Sequence, residues 1–366
     1  MSIPFSKPYL RADDEEAIVA AFRSTWISGG SYIEEFESKL CDFIEVDFAY
    51  AVSNGTAALH LAYLSLGLQP GDEVVIPGYG YLAAANVAIL LGIIPVFSDV
   101  DLDSFCMRVE HIEKVLTSNT KAIVMIHSYG NIVDAVEISK LCKNRGIALI
   151  EDAAEAFGSR INEKHAGTFG DVSTFSFHAT KTITTGEGGA IATNSPALAN
   201  RIKLYRSHGT RAKKYWHEVP GHNFRMTNLQ ASFGVSQLRK FPEIAEHRMR
   251  VSRQYSQNLQ NTNYIVQEFE AESNCFTWGM ALKDCSSRGM SIRDEIISQM
   301  SLKGVECRNG FYTPSKIGWY KGDILIPNSE VLSENILVLP LYPDLLDSEI
   351  DYICESLLDI SDRIVS

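Results

Sequence analysis

No stretch of the 366-residue chain is long and apolar enough to cross a bilayer. The most apolar segment, Leu82 to Val96, is interrupted by Asn86, Gly92 and Pro95. The first residues, Met1 to Arg11, lack the charged flank and apolar run of a signal peptide. Basic excess is missing too. Lys and Arg number 33 against 45 Asp and Glu, a net charge of −12, which argues against the basic face that nucleic-acid binding needs. It does not exclude a phosphorylated small molecule, for which a few local donors suffice. The seven cysteines (Cys41, Cys106, Cys142, Cys275, Cys285, Cys307, Cys354) are scattered, odd in number and without a C-x-x-C pair. They read as reduced, mostly structural thiols of a cytoplasmic protein. Repeats, low-complexity tracts and long charge runs are absent as well. With 45% hydrophobic and 21% charged residues, disorder is excluded as the main state.

What is present is an alternation of short apolar runs and helical patterns. Expected strands are Val74–Ile76, Ile94–Phe97, Ala122–Ile126, Ile147–Glu151, Thr174–Phe177 and Gly189–Ala192. Expected helices between them are Thr56–Leu66, Leu82–Leu91, Val109–Leu116, Asp134–Asn144 and Pro196–Arg206. Such alternation implies an α/β fold with a mostly parallel sheet between helices. After about residue 240 the pattern changes. A long polar helix, Phe241 to Leu259, leads to sparser strands (Tyr264–Val266, Phe276–Leu282, Gly304–Cys307, Ile336–Leu339) and helices near Ser291–Ser301 and Ser348–Ile360. The expected division is a large α/β domain, 1–240, and a smaller α+β domain, 241–366.

Three segments carry chemistry. Ala49-Tyr-Ala-Val runs as a strand into the polar turn Ser53-Asn54-Gly55-Thr56 and then a helix. The turn puts free N–H groups and a hydroxyl at a helix start, where the dipole favours an anion. Alone it reads as an ordinary N-cap. Asp152 follows the apolar run Ile147–Ile150, so it stands at a strand's carboxyl end, where open α/β sheets bind ligands. Alone it reads as a carboxylate capping a turn. Lys181 lies just past the strand ending at Phe177, before the glycine-rich Thr185-Gly-Glu-Gly-Gly. No P-loop and no dinucleotide fingerprint accompanies these segments. Together they have one chemical explanation. A pyridoxal phosphate (PLP) site needs a phosphate cradle, a carboxylate for the pyridine nitrogen and a lysine to hold the cofactor. The same lysine, once released, is a base for the substrate proton.

At this point the chain resembles the DegT/StrS group of PLP-dependent sugar aminotransferases, which have the fold-type-I architecture. The matching segments are Ser53-Asn-Gly-Thr-Ala-Ala-Leu, Gly71-Asp-Glu-Val-Val-Ile-Pro, Glu151-Asp-Ala-Ala-Glu-Ala, Phe175-Ser-Phe-His-Ala-Thr-Lys, Thr185-Gly-Glu-Gly-Gly and Gly221-His-Asn-Phe-Arg-Met-Thr-Asn-Leu-Gln-Ala. The resemblance implies that Lys181 holds the cofactor as a Schiff base and Asp152 contacts the pyridine nitrogen. It implies phosphate contacts from Gly55, Thr56 and Ser176, and an aromatic ring, Tyr81, stacked on the cofactor. Asn223 matches an asparagine that reaches the phosphate of the neighbouring subunit, implying a homodimer with shared sites. Glu155 stands near the cofactor's phenolic oxygen and the substrate, where many members carry Gln. That variant and Lys214-Tyr-Trp-His resemble the GDP-perosamine synthase branch.

Two segments depart from the pattern. Tyr79-Gly80 replaces the usual Thr or Ser before Tyr81, which is expected to loosen that loop. Arg308-Asn-Gly-Phe-Tyr-Thr-Pro-Ser stands where perosamine-type enzymes usually read Arg-Pro-Phe-Phe-Tyr-Pro-x-His, so Asn309, Gly310, Thr313 and Ser315 differ. Arg308 and Tyr312 remain as substrate contacts. His178 reads as a packing or hydrogen-bonding residue, with substrate contact as the alternative. His217 and His222 lack a third ligand at sensible spacing, so no metal is expected. The retained Lys181 favours transamination over the family's dehydratases, which carry His there. The implied activity is transfer of an amino group from L-glutamate to a nucleotide-linked 4-keto-6-deoxyhexose, for surface polysaccharide biosynthesis. A smaller phosphorylated ketone of the dihydroxyacetone phosphate type is the alternative acceptor, and a silent PLP-binding regulator the alternative class.

Overall fold

Along the strands of the large sheet, successive apolar side chains belong to two different cores, as the two-residue period of a strand requires. Val74 and Ile76 pack in one cluster and Val75 in the other; Tyr50 and Val52 divide from Ala49 and Ala51 in the same way. The computed structural model describes residues 2–365 except 212, 214, 261–263, 268, 270–273, 283–288 and 321–323. Lys214 and Cys285 therefore lie outside the described residues.

After α1 (Ala12–Arg23) and α2 (Ser31–Ile44) come β1 (Phe48–Val52), α3 (Gly55–Leu66), β2 (Glu73–Pro77), α4 (Ala83–Leu90) and β3 (Ile94–Ser98). They are followed by α5 (Val109–Glu113), β4 (Thr120–Ile126), α6 (Ala135–Arg145) and β5 (Ala148–Asp152). A hairpin, β6 (Arg160–Ile161) and β7 (Lys164–His165), leads to β8 (Val172–Ser176), β9 (Gly189–Thr193), α7 (Pro196–Arg206) and α8 (Asn228–Arg239). The seven-stranded sheet has the order β1-β9-β8-β5-β4-β2-β3. Only β9 runs against its neighbours; the remaining pairings are parallel.

The rest of the chain is α9 (Phe241–Asn258), β10 (Tyr264–Val266), β11 (Trp278–Leu282), α10 (Gly289–Leu302), β12 (Arg308–Asn309), α11 (Pro327–Asn335), β13 (Ile336–Leu339) and α12 (Asp347–Val365). Its four strands pair antiparallel in the order β10-β11-β13-β12 over a third core that includes Trp278, Ile296 and Leu357. Ile3 belongs to that core, and its N–H donates to the Gly304 carbonyl at 2.8 Å.

The strand expected at Gly304–Cys307 is instead a single bridge from Val305 to Ile3, and pairing with β13 begins at Arg308. A strand that pairs with the far end of the chain carries no local signal. The helices α1, α2 and α11 were not expected. Of α1 only Asp14 and Ala21 are buried, so its apolar stripe is too thin to read.

Glu151, on β5, is fully buried. Its carboxylate accepts the N–H groups of Gly167 at 2.6 Å, Phe169 at 2.8 Å and Gly170 at 3.1 Å. His127 Nε2 lies 2.8 Å from Oε1. One side chain thus ties the loop before β8 to the segment after β4. Gln at this position would turn an NH2 group toward backbone donors and leave buried N–H groups unmet. Glu151→Gln is expected to lower unfolding free energy by about 3 kcal/mol, measured by denaturant titration. A loss below about 1 kcal/mol would show that the loop is held by other means.

Candidate active site

The carboxyl ends of β5 and β8 and the start of α3 open onto one cavity of about 910 Å³, lined by Gly55, Thr56, Asp152, Ser176 and Lys181 among others. This is the edge of an open α/β sheet where ligands bind. At the start of α3, Asn54 supplies the cap: its side-chain oxygen accepts the Ala57 N–H at 2.8 Å. The N–H groups of Gly55 and Thr56, in the first turn, have no intrahelical acceptor by construction. Close packing sets the cradle. A Cβ on Gly55 would lie 3.1 Å from Ser176 Cβ, and one on Gly189 would lie 2.6 Å from the Asn54 carbonyl carbon. The glycine-rich turn therefore serves to bring β9 under the cradle.

Asp152 is 7% exposed and accepts one N–H, from Ala154 at 3.1 Å. Burial pushes its carboxyl up to about 6, against the pull of that N–H and of Lys181. Lys181 Nζ stands 3.4 Å from Glu155 Oε1 and 4.3 Å from the centroid of the Phe276 ring. Glu155 Oε2 in turn accepts the Tyr129 N–H at 2.9 Å. Tyr129 holds φ at +60°, a backbone outlier for a bulky residue, which aims its N–H and its ring at opposite neighbours.

That ring bears on Tyr79 and Gly310, one position from each of the two segments that depart from the family pattern. Tyr79 is fully buried, and its hydroxyl lies 2.7 Å from that of Tyr129. The Phe311 N–H donates to it at 3.4 Å. Far from loosening its loop, Tyr79 anchors it. A Cβ on Gly310 would come within 2.1 Å of the same hydroxyl. Tyr79 and Gly310 are therefore one adjustment: the phenol occupies room that a side chain at 310 would need.

The other expected site residues are spread around the mouth. Tyr81 is 68% exposed, its ring edge-on to Phe311 at 6.4 Å. Arg308 lines the cavity but is paired with Glu306 at 2.9 Å and lies over the Phe5 ring at 4.3 Å. Asn309, Gly310 and Phe311 line the cavity; Tyr312 and Ser315 are exposed and outside its lining. Asn223 is exposed and pairs through its backbone with Ser207. Thr227, not Asn223, caps α8, accepting the Gln230 N–H at 3.2 Å. His178 lines the cavity edge, 3.1 Å from the Thr180 hydroxyl and 3.8 Å from Glu187.

Sequence reasoning missed Phe276, His60 and Arg248, all of which line the cavity. For Arg248 a signal was available. Phe241, Ile244, Val251 and Tyr255 mark the buried stripe of α9, and Arg248 occupies the missing position of that spacing. A cation at a core position of an amphipathic helix asks for an explanation.

The chain is 38% identical over 359 residues to a GDP-perosamine synthase of Escherichia coli O157:H7, covering 97% of each. Its fold matches Helicobacter pylori PseC, an aminotransferase involved in the biosynthesis of pseudoaminic acid, with a TM-score of 0.94 at 26% identity, over 99% of this chain and 100% of that one. It also matches a GDP-4-keto-6-deoxymannose-3-dehydratase variant with bound GDP-perosamine, TM-score 0.90 at 26% identity, over 97% and 100%. The model of the DegT/DnrJ/EryC1/StrS aminotransferase family spans residues 8–358. The chain belongs to that family.

Proposed function

We propose that this protein is a PLP-dependent transaminase that moves an amino group from L-glutamate to a nucleotide-linked 4-keto-6-deoxyhexose. The observation that carries the reading is the meeting of three features in one cavity: a helix N-terminus, a buried carboxylate with no ion pair among the described residues, and a lysine amine. These residues fit the cofactor. Gly55, Thr56 and Ser176 would hold its phosphate, Asp152 its ring nitrogen and Lys181 its carbonyl carbon. When bound, the cofactor supplies the electron sink that makes a substrate carbon acidic. Asp152 keeps the proton on the ring nitrogen, because an ionised carboxylate there favours the protonated form. Lys181 Nζ, held beside Glu155, is the base that takes the substrate proton and returns it. Phe276 packs its ring against the amine at 4.3 Å.

The acceptor follows from cavity size and kinship. About 910 Å³ lies near the upper end of small-molecule sites, more than a three-carbon phosphorylated ketone would use. The 38%-identical relative is named for a GDP-linked amino sugar. We read Arg308, at the mouth, as a contact for the nucleotide's phosphates, and Tyr312 as a contact made on closure. The exposed Asn223, free of helix capping, supports a homodimer in which it completes the partner's phosphate site. The deciding experiment compares kcat/KM for a GDP-linked 4-keto-6-deoxyhexose and for dihydroxyacetone phosphate. Preference for the small ketone would reverse the acceptor assignment.

Two substitutions test the machinery. Lys181→Ala is expected to lose both the visible absorbance of lysine-bound cofactor and turnover. Asp152→Asn is expected to fold but to lose about 100-fold in kcat, since an amide forfeits about 3 kcal/mol of charge pairing. Near-normal rates would assign ring protonation to another group.

The raised Asp152 carboxyl also predicts a pH effect. A carboxyl that ionises near 3.8 unfolded and near 6 folded favours the fold in its neutral form. The protein without cofactor therefore gains from it below about pH 4, and loses that gain as pH rises through about 6. A cationic ring nitrogen offsets the loss. Thermal melts are expected to show a larger PLP-induced rise in Tm at pH 8 than at pH 5, with the difference diminished in Asp152→Asn.

A further inference from the structure

The first residues of the chain reach the cavity, although no motif marks them. Phe5 and Ser6 line it together with Arg308. Backbone hydrogen bonds bring them there. The Glu306 N–H donates to the Ile3 carbonyl at 3.0 Å, and the Leu341 N–H to the Phe5 carbonyl at 3.2 Å. Residues 3–5 are thus held between the segment entering β12 and the segment leaving β13. The Phe5 ring packs against the core that holds Val75 and Ile123 of the large sheet. Backbone and ring of Phe5 therefore answer to different sheets, which leaves the side chain little freedom.

Three residues close a ring of contacts at this point. One Glu306 carboxylate oxygen accepts the Phe5 N–H at 3.0 Å, and the other lies 2.9 Å from Arg308 Nη2. The Arg308 guanidinium carbon stands 4.3 Å from the Phe5 ring centroid. The Phe5 N–H, and then Arg308, hold the Glu306 carboxyl below the usual carboxylate range, so it stays ionised at neutral pH. An arginine at a cavity mouth is ordinarily spread over many rotamers, and a ligand that uses it must order it at an entropic cost. Here the ring takes one face and Glu306 one amine before any ligand arrives. Nε and Nη1 make no hydrogen bond among the described residues. Guanidinium donors lie in one plane, an arrangement that suits a phosphate.

We propose that Phe5 is a positioning residue for the keto-sugar: its ring, with Glu306, sets the Arg308 fork toward the nucleotide's phosphates. The inference rests on the acceptor reading above. L-Glutamate carries no phosphate, so the donor half-reaction draws nothing from this arrangement. Only the ring is at issue. The Phe5 N–H belongs to the backbone, so a new side chain at position 5 leaves Glu306 tied. Leucine would keep apolar bulk against the core but offer the guanidinium no aromatic face.

The test uses the PLP-loaded enzyme and its Phe5→Leu, Phe5→Tyr and Arg308→Ala forms, with Phe5→Leu also made in the Arg308→Ala background. Cofactor absorbance gives half-saturating L-glutamate, then half-saturating GDP-linked 4-keto-6-deoxyhexose on the glutamate-treated enzyme. Calorimetry of GDP binding supplies a readout without turnover. Phe5→Leu is expected to raise half-saturating keto-sugar about three- to tenfold and to weaken GDP to match. Half-saturating glutamate should move less than about twofold, and Phe5→Tyr should stay near the unsubstituted enzyme. In the Arg308→Ala background Phe5→Leu should add nothing, because the two side chains act as one unit. Equal weakening of glutamate and keto-sugar, or a full Phe5→Leu effect without Arg308, overturns the proposal. Loss of GDP binding in Arg308→Ala with none in Phe5→Leu also overturns it, while leaving Arg308 as a phosphate contact. An unsubstituted enzyme that does not bind GDP overturns the acceptor reading itself, and this proposal with it.

Discussion

Two neighbouring carboxylates at the end of β5 decide how the site is built. A strand turns successive side chains to opposite faces. Glu151 goes inward, where three backbone N–H groups and His127 satisfy it. Asp152 goes into the cavity, where one N–H meets it and burial drives its carboxyl upward. The first residue fixes the strand end and the loops around it. The second can then remain incompletely paired without the strand shifting to relieve it. Fixed placement of an under-satisfied charge is what lets a protein bind and tune a cofactor.

The cavity's charges follow the same logic. Lys181 and Glu155 face each other at 3.4 Å and largely offset. Among the described residues, Asp152 and Arg248 have no such partner. A cationic group would suit the former and an anionic one the latter. A ligand of opposite charge at either residue would relieve desolvation cost already present in the fold. Exposed pairs, such as Arg308 with Glu306 at the mouth, contribute far less.

Much of the large sheet was legible because fully buried strands read as continuous apolar runs, and β4 and β5 do. The residues Asp152 and Lys181 were legible for a related reason: each lies at or just past the carboxyl end of a strand, whereas Ser176 was named only through the family resemblance. The small sheet was harder. Strand β12 is two residues long and pairs with β13, and Val305 pairs with Ile3 across the whole chain. Contacts of that range leave no periodic trace. Arg248 was hidden differently. Its helix reads as polar, and only the spacing of Phe241, Ile244, Val251 and Tyr255 reveals that a charge sits on the buried face.

The Tyr79–Gly310 contact shows why the substrate wall could not be judged one segment at a time. Read separately, Tyr79 predicts a looser loop and Gly310 a lost contact. In the structure the Tyr79 hydroxyl meets Tyr129 at 2.7 Å and takes the Phe311 N–H, while Gly310 provides its clearance. Tyr129 then reaches Glu155 through its N–H at 2.9 Å. The segment around Gly310 and the carboxylate beside Lys181 are thus joined through two tyrosines, by their hydroxyls and the Tyr129 N–H. Buried hydrogen-bonded chains of this kind tend to act as a unit, so exchanging one member alone is felt along its length. The changed wall is therefore better read as a different way of holding the same carboxylate and backbone than as the loss of a binding surface.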